Sequence, residues 1–120
     1  MTILRGKSVL VVEDEPLVSM MIEVMLEEAG AERIGVAESC AEAATCLAGA
    51  HFDVAILDRR LGDGLSYGIA ATALAAGTRI IFASGTSDLD LPEGLLGATI
   101  LPKPFSGAAL IAAIAAALEG

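Results

Sequence analysis

The sequence predicts an α/β fold: a doubly wound, five-stranded parallel sheet in the order 2-1-3-4-5, with helices on both faces. Short runs rich in Val, Ile and Leu alternate with segments of helical period along all 120 residues, a pattern that calls for parallel strands joined by right-handed helical crossovers. The runs are apolar throughout rather than alternating with polar residues, as expected of strands covered on both faces. No repeat, linker or low-complexity tract interrupts them, and the length suits one core. Residues 1–120 are therefore expected to form a single domain with no second domain appended.

The elements follow in order. Ser8 to Val12 is the first strand. Pro16 suits the first turn of a helix, where its missing N–H costs nothing, and Glu13, Asp14 and Glu15 lie where the helix dipole favours negative charge. Leu17, Met21, Val24, Met25 and Glu28 continue at helical spacing, giving a helix from Pro16 to Ala29 that stops at Gly30. Arg33 to Ala37 is a weaker second strand, and Ser39 with Glu42 has the form of a capping box opening a helix that Gly49 ends. Phe52 to Leu57 is the third strand, Gly62-Asp63-Gly64 a turn, and Leu65 to Ala76 an alanine-rich helix closed by Gly77. Arg79 to Ala83 is the fourth strand. Ser84 to Gly97 contains Asp88, Asp90, Pro92, Gly94 and Gly97 and has little helical periodicity, so a loop or a frayed turn of helix is expected there. Thr99 to Leu101 is a short fifth strand, and Ser106 caps a last helix to Leu118.

Composition narrows the function classes. A formal net charge of -9 argues against nucleic acid as a partner, because such binding depends on Lys and Arg neutralising phosphates. Cys40 and Cys46 fit neither a CxxC pair nor a zinc spacing, and His51 adds no ligand set; these residues read as packing or surface positions in a reduced, cytoplasmic protein. The longest apolar run, Gly107 to Leu118, is shorter than the ~20 residues that span a bilayer. Arg5 and Lys7 ahead of the first strand faintly resemble a signal peptide, but Glu13, Asp14 and Glu15 cut the apolar run short. No membrane insertion is expected.

Open α/β sheets bind ligands at the carboxyl ends of their strands, beside the switch point. Four runs here end in polar residues: Val11-Val12 in Glu13-Asp14, Ile56-Leu57 in Asp58, Phe82-Ala83 in Ser84, and Leu101-Pro102 in Lys103. Strands one and three are neighbours in the expected order, so Asp14 and Asp58 face each other across the crevice. Adjacent carboxylates repel, and Mg²⁺ with its oxygen ligands relieves the repulsion. Asp58 ends a nearly pure core run and there needs a partner or a function; a carboxylate can act as nucleophile toward phosphorus. Lys103, held between Pro102 and Pro104, can pair with Asp58 before phosphorylation and with a phosphoryl oxygen afterwards, while the Ser84 hydroxyl can donate to another. Each has an ordinary explanation alone: acids on a helix dipole, a surface lysine, a serine capping a turn. Their coincidence at four strand ends points to Mg²⁺-dependent phosphoryl transfer, achieved mostly by positioning and charge neutralisation.

The motifs Val-Val-Glu-Asp-Glu-Pro, Ile-Leu-Asp-Arg-Arg-Leu-Gly-Asp-Gly, Ile-Phe-Ala-Ser-Gly and Leu-Pro-Lys-Pro-Phe together resemble the receiver domain of two-component response regulators, a flavodoxin-like fold, over essentially the whole chain. The resemblance implies that Asp58 is the phosphoacceptor, Asp14 a direct Mg²⁺ ligand, Glu13 an outer ligand acting through water, and Arg60 the donor of a backbone carbonyl to the metal. It implies that Ser84 and Lys103 hold the phosphoryl group, that the Lys103-Pro104 peptide is cis, and that the phosphodonor is a histidine kinase or phosphotransfer protein. It implies a signalling module, catalysing only its own phosphorylation and dephosphorylation, rather than an enzyme.

Three departures stand out. Glu13 replaces the commoner aspartate. Ile100 occupies the position of the aromatic switch residue, and an isoleucine cannot swing a ring. The third is the stretch after the fourth strand: Gly85-Thr86-Ser87-Asp88 and Leu91-Pro92-Glu93-Gly94 resemble the receiver subclass with a Phe-Ala-Thr-Gly motif, Ser84 standing for its threonine, in which the fourth helix is short or mobile. Phosphorylation is accordingly expected to order Ser84 to Gly97, with Arg60 and Thr86 controlling water access to the phosphate.

On the last helix Leu110, Ile114 and Leu118 form a core stripe, while the other positions are nearly all alanine. That outer face suits close packing against a kinase, a downstream protein or a second copy in a homodimer. Among rival functions, a small aspartyl-phosphate phosphohydrolase needs a general acid soon after its nucleophile, where Arg59 and Arg60 stand. A nucleotide or flavin binder needs a glycine-rich loop after the first strand, where acids stand instead. A receiver that only drains phosphate from a kinase shares all the same residues.

Overall fold

The computed structural model describes residues 2–85 and 91–119. Strands β1 (Ser8–Val12), β2 (Arg33–Ala37), β3 (Val54–Asp58), β4 (Arg79–Ser84) and β5 (Thr99–Pro102) form one parallel sheet in the order β2-β1-β3-β4-β5, as predicted. Helices α1 (Pro16–Glu28), α2 (Cys40–Gly49), α3 (Tyr67–Ala75) and α4 (Gly107–Glu119) cover it. Alternate residues of β1 enter different cores: Val9 and Val11 pack with α1 and α4, Leu10 and Val12 with α2 and α3. A strand that feeds two cores is apolar on both faces, which explains the unbroken run from Val9 to Val12.

Register brings the strand ends to one edge. Val12 pairs with Leu57, Asp58 with Ala83, and Ser84 with Pro102. The caps form at the expected positions, with the Ser39 hydroxyl accepting the Glu42 N–H at 3.0 Å and the Ser106 hydroxyl the Ala109 N–H at 3.1 Å, but the Glu42 carboxylate reaches the N–H of Glu38, one residue before the N-cap of the expected box, at 2.9 Å. On α4, Leu110 and Ile114 are fully buried and Ala113 and Ala117 join them. Between β4 and β5 the described residues carry a single 3-10 turn, Glu93–Leu95, with Leu95 buried beneath it. Thr86, Asp88 and Asp90 lie outside the described residues. No described helix is long and apolar enough to cross a membrane.

Two expectations need correction. The third helix begins at Tyr67 rather than Leu65, because Gly64–Leu65 pairs antiparallel with Arg60–Leu61 across the Gly62-Asp63 turn. The apolar stripe read on the first helix is also out of phase. Its core face is Ser19, Ile22 and Leu26, with Val18 and Met25 partly buried, whereas Leu17 is 82 % exposed and Met20, Met21 and Val24 are exposed as well. The helix is apolar on two faces, so spacing alone does not choose between them. Ser19 can enter the core because its hydroxyl donates to the Pro16 carbonyl at 3.1 Å, which satisfies the group locally.

This assignment predicts that Leu26→Ala costs about 2–5 kcal/mol in urea unfolding, while Val24→Ala on the exposed face stays within about 0.5 kcal/mol of the parent. Adding a Cβ at Gly35 would bring it to 2.9 Å from the ring of Phe52, which is itself buried beneath the Arg33 guanidinium. Gly35→Ala is therefore expected to cost roughly 1–3 kcal/mol by the same measurement.

Candidate functional site

Glu13 extends β1 by one residue, its N–H donating to the Ala37 carbonyl at 3.0 Å, and this carries its side chain into the interior, where it is 2 % exposed. A buried carboxylate requires partners, and both oxygens have one. Oε1 accepts from Lys103 Nζ at 2.8 Å and Oε2 from the Glu15 N–H at 3.2 Å. Burial pushes the Glu13 carboxyl above its usual range, and the Lys103 ammonium offsets this only in part. Burial also acts against the Lys103 ammonium, but Glu13 and then Asp58 outweigh it and raise the lysine's pKa.

Asp58 closes β3 beside this pair. Its Oδ2 lies 3.5 Å from Lys103 Nζ, and its Oδ1 accepts a long bond of 3.4 Å from the Arg60 N–H. Asp14, next along the chain from Glu13, is exposed. One carboxylate oxygen from each of Glu13, Asp14 and Asp58 lies within 4.8 Å of the others. Mg²⁺ takes hard oxygen ligands at about 2.0–2.1 Å in an octahedron and usually keeps several waters, so carboxylates this close could hold that ion with water completing the shell.

Arg60 owes its placement to the small ribbon. Antiparallel pairs alternate between bonded and non-bonded. The Ser66 N–H donates to the Arg59 carbonyl at 2.9 Å, so the next pair, Arg60 with Leu65, is the non-bonded one. The ribbon therefore uses neither the N–H nor the carbonyl of Arg60. At the end of β4, Ser84 is buried, and its carbonyl accepts the Lys103 N–H at 2.7 Å. The Lys103-Pro104 peptide is cis, as the resemblance implied.

Of the side chains picked out in the sequence, Glu13, Asp58 and Lys103 are in direct contact, Asp14 completes the acidic group, and Ser84 is bonded to Lys103 through the backbone. The structure adds two that the sequence reading missed. The Ser66 hydroxyl donates to the Asp58 carbonyl at 2.7 Å, and the Tyr67 hydroxyl accepts from Arg59 Nε at 2.8 Å, its ring edge-on to Phe82 with centroids 5.6 Å apart. Ser66 falls in the stretch read as the start of the helix, and Tyr67 opens α3 itself; the Gly-Asp-Gly turn just before them is the signal of a ribbon.

Comparison with known proteins bears on the family and the fold. The family model for the response regulator receiver domain matches residues 9–115. The chain is similar to SdrG from Sphingomonas melonis Fr1, solved in solution, with 34% identity over 98% of this chain and 99% of that one and a TM-score of 0.80. It is similar to the BeF3-activated conformation of SdrG from Pseudomonas melonis Fr1, with 34% identity over 92% of this chain and 95% of that one and a TM-score of 0.77. It is also similar to the PhyR response regulator REC domain of Erythrobacter litoralis, with 26% identity over 94% of this chain and 90% of that one and a TM-score of 0.78. Among functionally curated proteins, none matches.

The ion pair gives a test of its own. Lys103→Met leaves the Glu13 carboxylate buried without its cation, an expected loss of about 1–3 kcal/mol at neutral pH once the partial exposure of Lys103 is allowed for. A carboxyl whose folded pKa is raised destabilises fully above that pKa and not at all below its unfolded value. The loss should therefore shrink as pH falls toward the ordinary carboxylate range. Urea unfolding of Lys103→Met against the double variant with Glu13→Gln, in which the pH dependence should flatten, checks the assignment.

Proposed function

The chain belongs to the response regulator receiver family, and on that premise we propose that Asp58 accepts a phosphoryl group from the phosphohistidine of a histidine kinase or phosphotransfer protein. The observation that carries the proposal is the gathering of three carboxylates within 4.8 Å, with Lys103 Nζ in contact with two of them. An Asp58 oxygen attacks phosphorus, the P–N bond of the donor breaks, and its electron pair returns to the imidazole. Asp14, Asp58 and the Arg60 carbonyl would hold Mg²⁺ directly, and Glu13, its oxygens occupied by Lys103 and the Glu15 N–H, would act from outside through water. When bound, Mg²⁺ supplies neutralisation of the phosphoryl oxygens as they approach an acidic edge.

Lys103 is anchored more closely to Glu13 than to Asp58, which poises its ammonium to follow a new phosphoryl oxygen. The Ser84 hydroxyl takes another. Ser84 begins the β4–β5 crossover, so a shift there enters the Ser84 to Gly97 segment, as in the Phe-Ala-Thr-Gly subclass. Ile100 pairs with Phe82 in register and offers no ring to rotate, which leaves that segment as the route of the switch. Arg60 and Thr86, the latter outside the described residues, would set the phosphate's lifetime by controlling water. Arg59, the first residue after Asp58, is engaged by Tyr67 and supplies no general acid, which speaks against a phosphohydrolase.

The phosphodonor docks on α1. Among the described residues, Leu17, Met20, Met21 and Val24 are the densest set of exposed large apolar side chains, and α4 has none. An apolar groove lined by Val18, Met21, Lys103, Pro104 and Phe105 leads from them to the site. The outer alanines of α4 are left for a downstream protein or a second copy. Signalling of this kind takes place in the cytoplasm, beside the kinase.

Labelling by radioactive acetyl phosphate is expected to require Mg²⁺, to vanish in Asp58→Asn and to fall at least tenfold in Asp14→Asn; equal labelling of Asp58→Asn removes the proposal. Met20→Lys with Val24→Lys is expected to slow transfer from a cognate kinase about tenfold while leaving acetyl phosphate labelling intact. With beryllofluoride and Mg²⁺, amide exchange should slow at Ser84, Gly85 and residues 91–97, and unchanged exchange there would exclude the switch.

A further inference from the structure

Asp63 stands at the tip of the ribbon that follows Asp58, and its carboxylate closes onto a different element. Oδ1 accepts the Cys40 N–H at 3.0 Å and Oδ2 the Ala41 N–H at 3.2 Å. A helix begins with N–H groups that have no partner inside it, and in α2 the three that follow the N-cap Ser39 all find acceptors outside the ladder. Cys40 and Ala41 give theirs to Asp63 and Glu42 gives its own to the Ser39 hydroxyl, after which Ala43 opens the helical ladder by donating to the Ser39 carbonyl. The local cap thus satisfies only part of the helix end, and a carboxylate more than twenty residues away in the chain satisfies the rest. Those two amide bonds hold the Asp63 carboxyl below its usual range although the side chain is exposed. A second contact runs along the same seam, from Cys40 Sγ to the Leu65 carbonyl at 3.7 Å.

The ribbon that Asp63 ties down is the one that presents Arg60. It consists of Arg60–Leu61 paired with Gly64–Leu65, far too little to hold a shape by itself, since even a full two-stranded hairpin is marginal in water. Its base is fixed by Ser66, through the hydroxyl bond to the Asp58 carbonyl and the N–H bond to the Arg59 carbonyl. Its tip is fixed by Asp63. Between these two anchors lies Arg60, whose N–H reaches Asp58 and whose carbonyl the ribbon does not use.

We propose that Asp63 is a positioning residue of the phosphoacceptor site: by clasping the first turn of α2 it holds the ribbon where the Arg60 N–H meets Asp58 and the Arg60 carbonyl faces the metal position. Asp63 touches neither metal nor phosphoryl group and acts only through the backbone of Arg60. The assignment rests on the metal site proposed above and adds a residue outside its ligand set.

Ser39→Ala supplies the control, because it strips an acceptor from the same helix end without touching the ribbon. Asp63→Ala and Ser39→Ala should lower the urea midpoint by similar amounts. Asp63→Ala should also weaken Mg²⁺ binding, measured by calorimetry, about tenfold, the usual scale for residues that orient metal ligands, and should speed amide exchange at Arg60 and Leu61. Asp63→Asn, which keeps one acceptor oxygen, should fall between. Ser39→Ala should leave both readouts within twofold of the parent. Equal effects of Asp63→Ala and Ser39→Ala on Mg²⁺ affinity, or no effect of Asp63→Ala, would overturn the proposal. If the parent itself binds no Mg²⁺, the metal reading fails separately, and exchange at Arg60 and Leu61 decides the clasp: faster in Asp63→Ala than in Ser39→Ala upholds it, equal rates end it.

Discussion

Glu13 lies buried just past β1 and Lys103 just past β5, yet a 2.8 Å contact joins them along the edge of the sheet. β3 and β4 lie between those two strands. An ammonium drawn from the far strand to a buried carboxylate must cross the strand ends between, so Asp58 at the end of β3 meets it on the way, at 3.5 Å. Desolvating such a pair is costly, and nature often does as well with apolar residues in its place. What the pair provides here is location: a cation held over the carboxylate of Asp58, with its own backbone N–H secured to Ser84. The cis peptide that follows Lys103, the buried end of β4 and the acidic turn after β1 are all arranged around that contact.

The strand order and the convergence of polar residues at one edge were legible because the strand interiors are apolar on both faces and four of the strands run straight into a charged or hydroxyl-bearing residue. Glu13, Asp58, Ser84 and Lys103 were marked by that contrast alone. The phase of α1 was not legible. A helix with apolar residues on two faces gives spacing no preference, and the choice fell on Ser19, a polar residue that reaches the core by bonding to its own helix. The start of α3 was missed for a different reason: pairing between Arg60–Leu61 and Gly64–Leu65 competes with helix for the same residues, and short-range propensity sees only the helix. The bonds from Asp63 to Cys40 and Ala41 are tertiary, and nothing in the local sequence announces them.

The two faces of the sheet carry different burdens. On one, α1 and α4 share a core of Leu, Ile and Val with β1 and β3, and α1 still has large apolar side chains to spare on its outer side. That excess is unusual on a chain with a net charge of -9, where acidic residues otherwise keep the surface wet. Part of it, Met21, lines the apolar groove shared with Lys103, Pro104 and Phe105, so the exposed side chains form a patch next to the site rather than scattered single residues. On the other face α2 and α3 enter the core through the small side chains of Ala43, Ala70 and Ala73, packed against Leu10, Val12, Phe52, Leu57 and Phe82, and α2 is joined to the ribbon by the Asp63 bonds as well.

Tyr67 has one more consequence. The chain contains one tyrosine and no tryptophan, so its ultraviolet fluorescence originates in a single phenol. That phenol accepts a hydrogen bond from Arg59, the residue adjoining Asp58, and rests edge-on against Phe82 in the strand that ends at Ser84. The protein therefore carries a built-in optical reporter wired to the carboxylate edge, and events there can be followed by emission without attaching any dye.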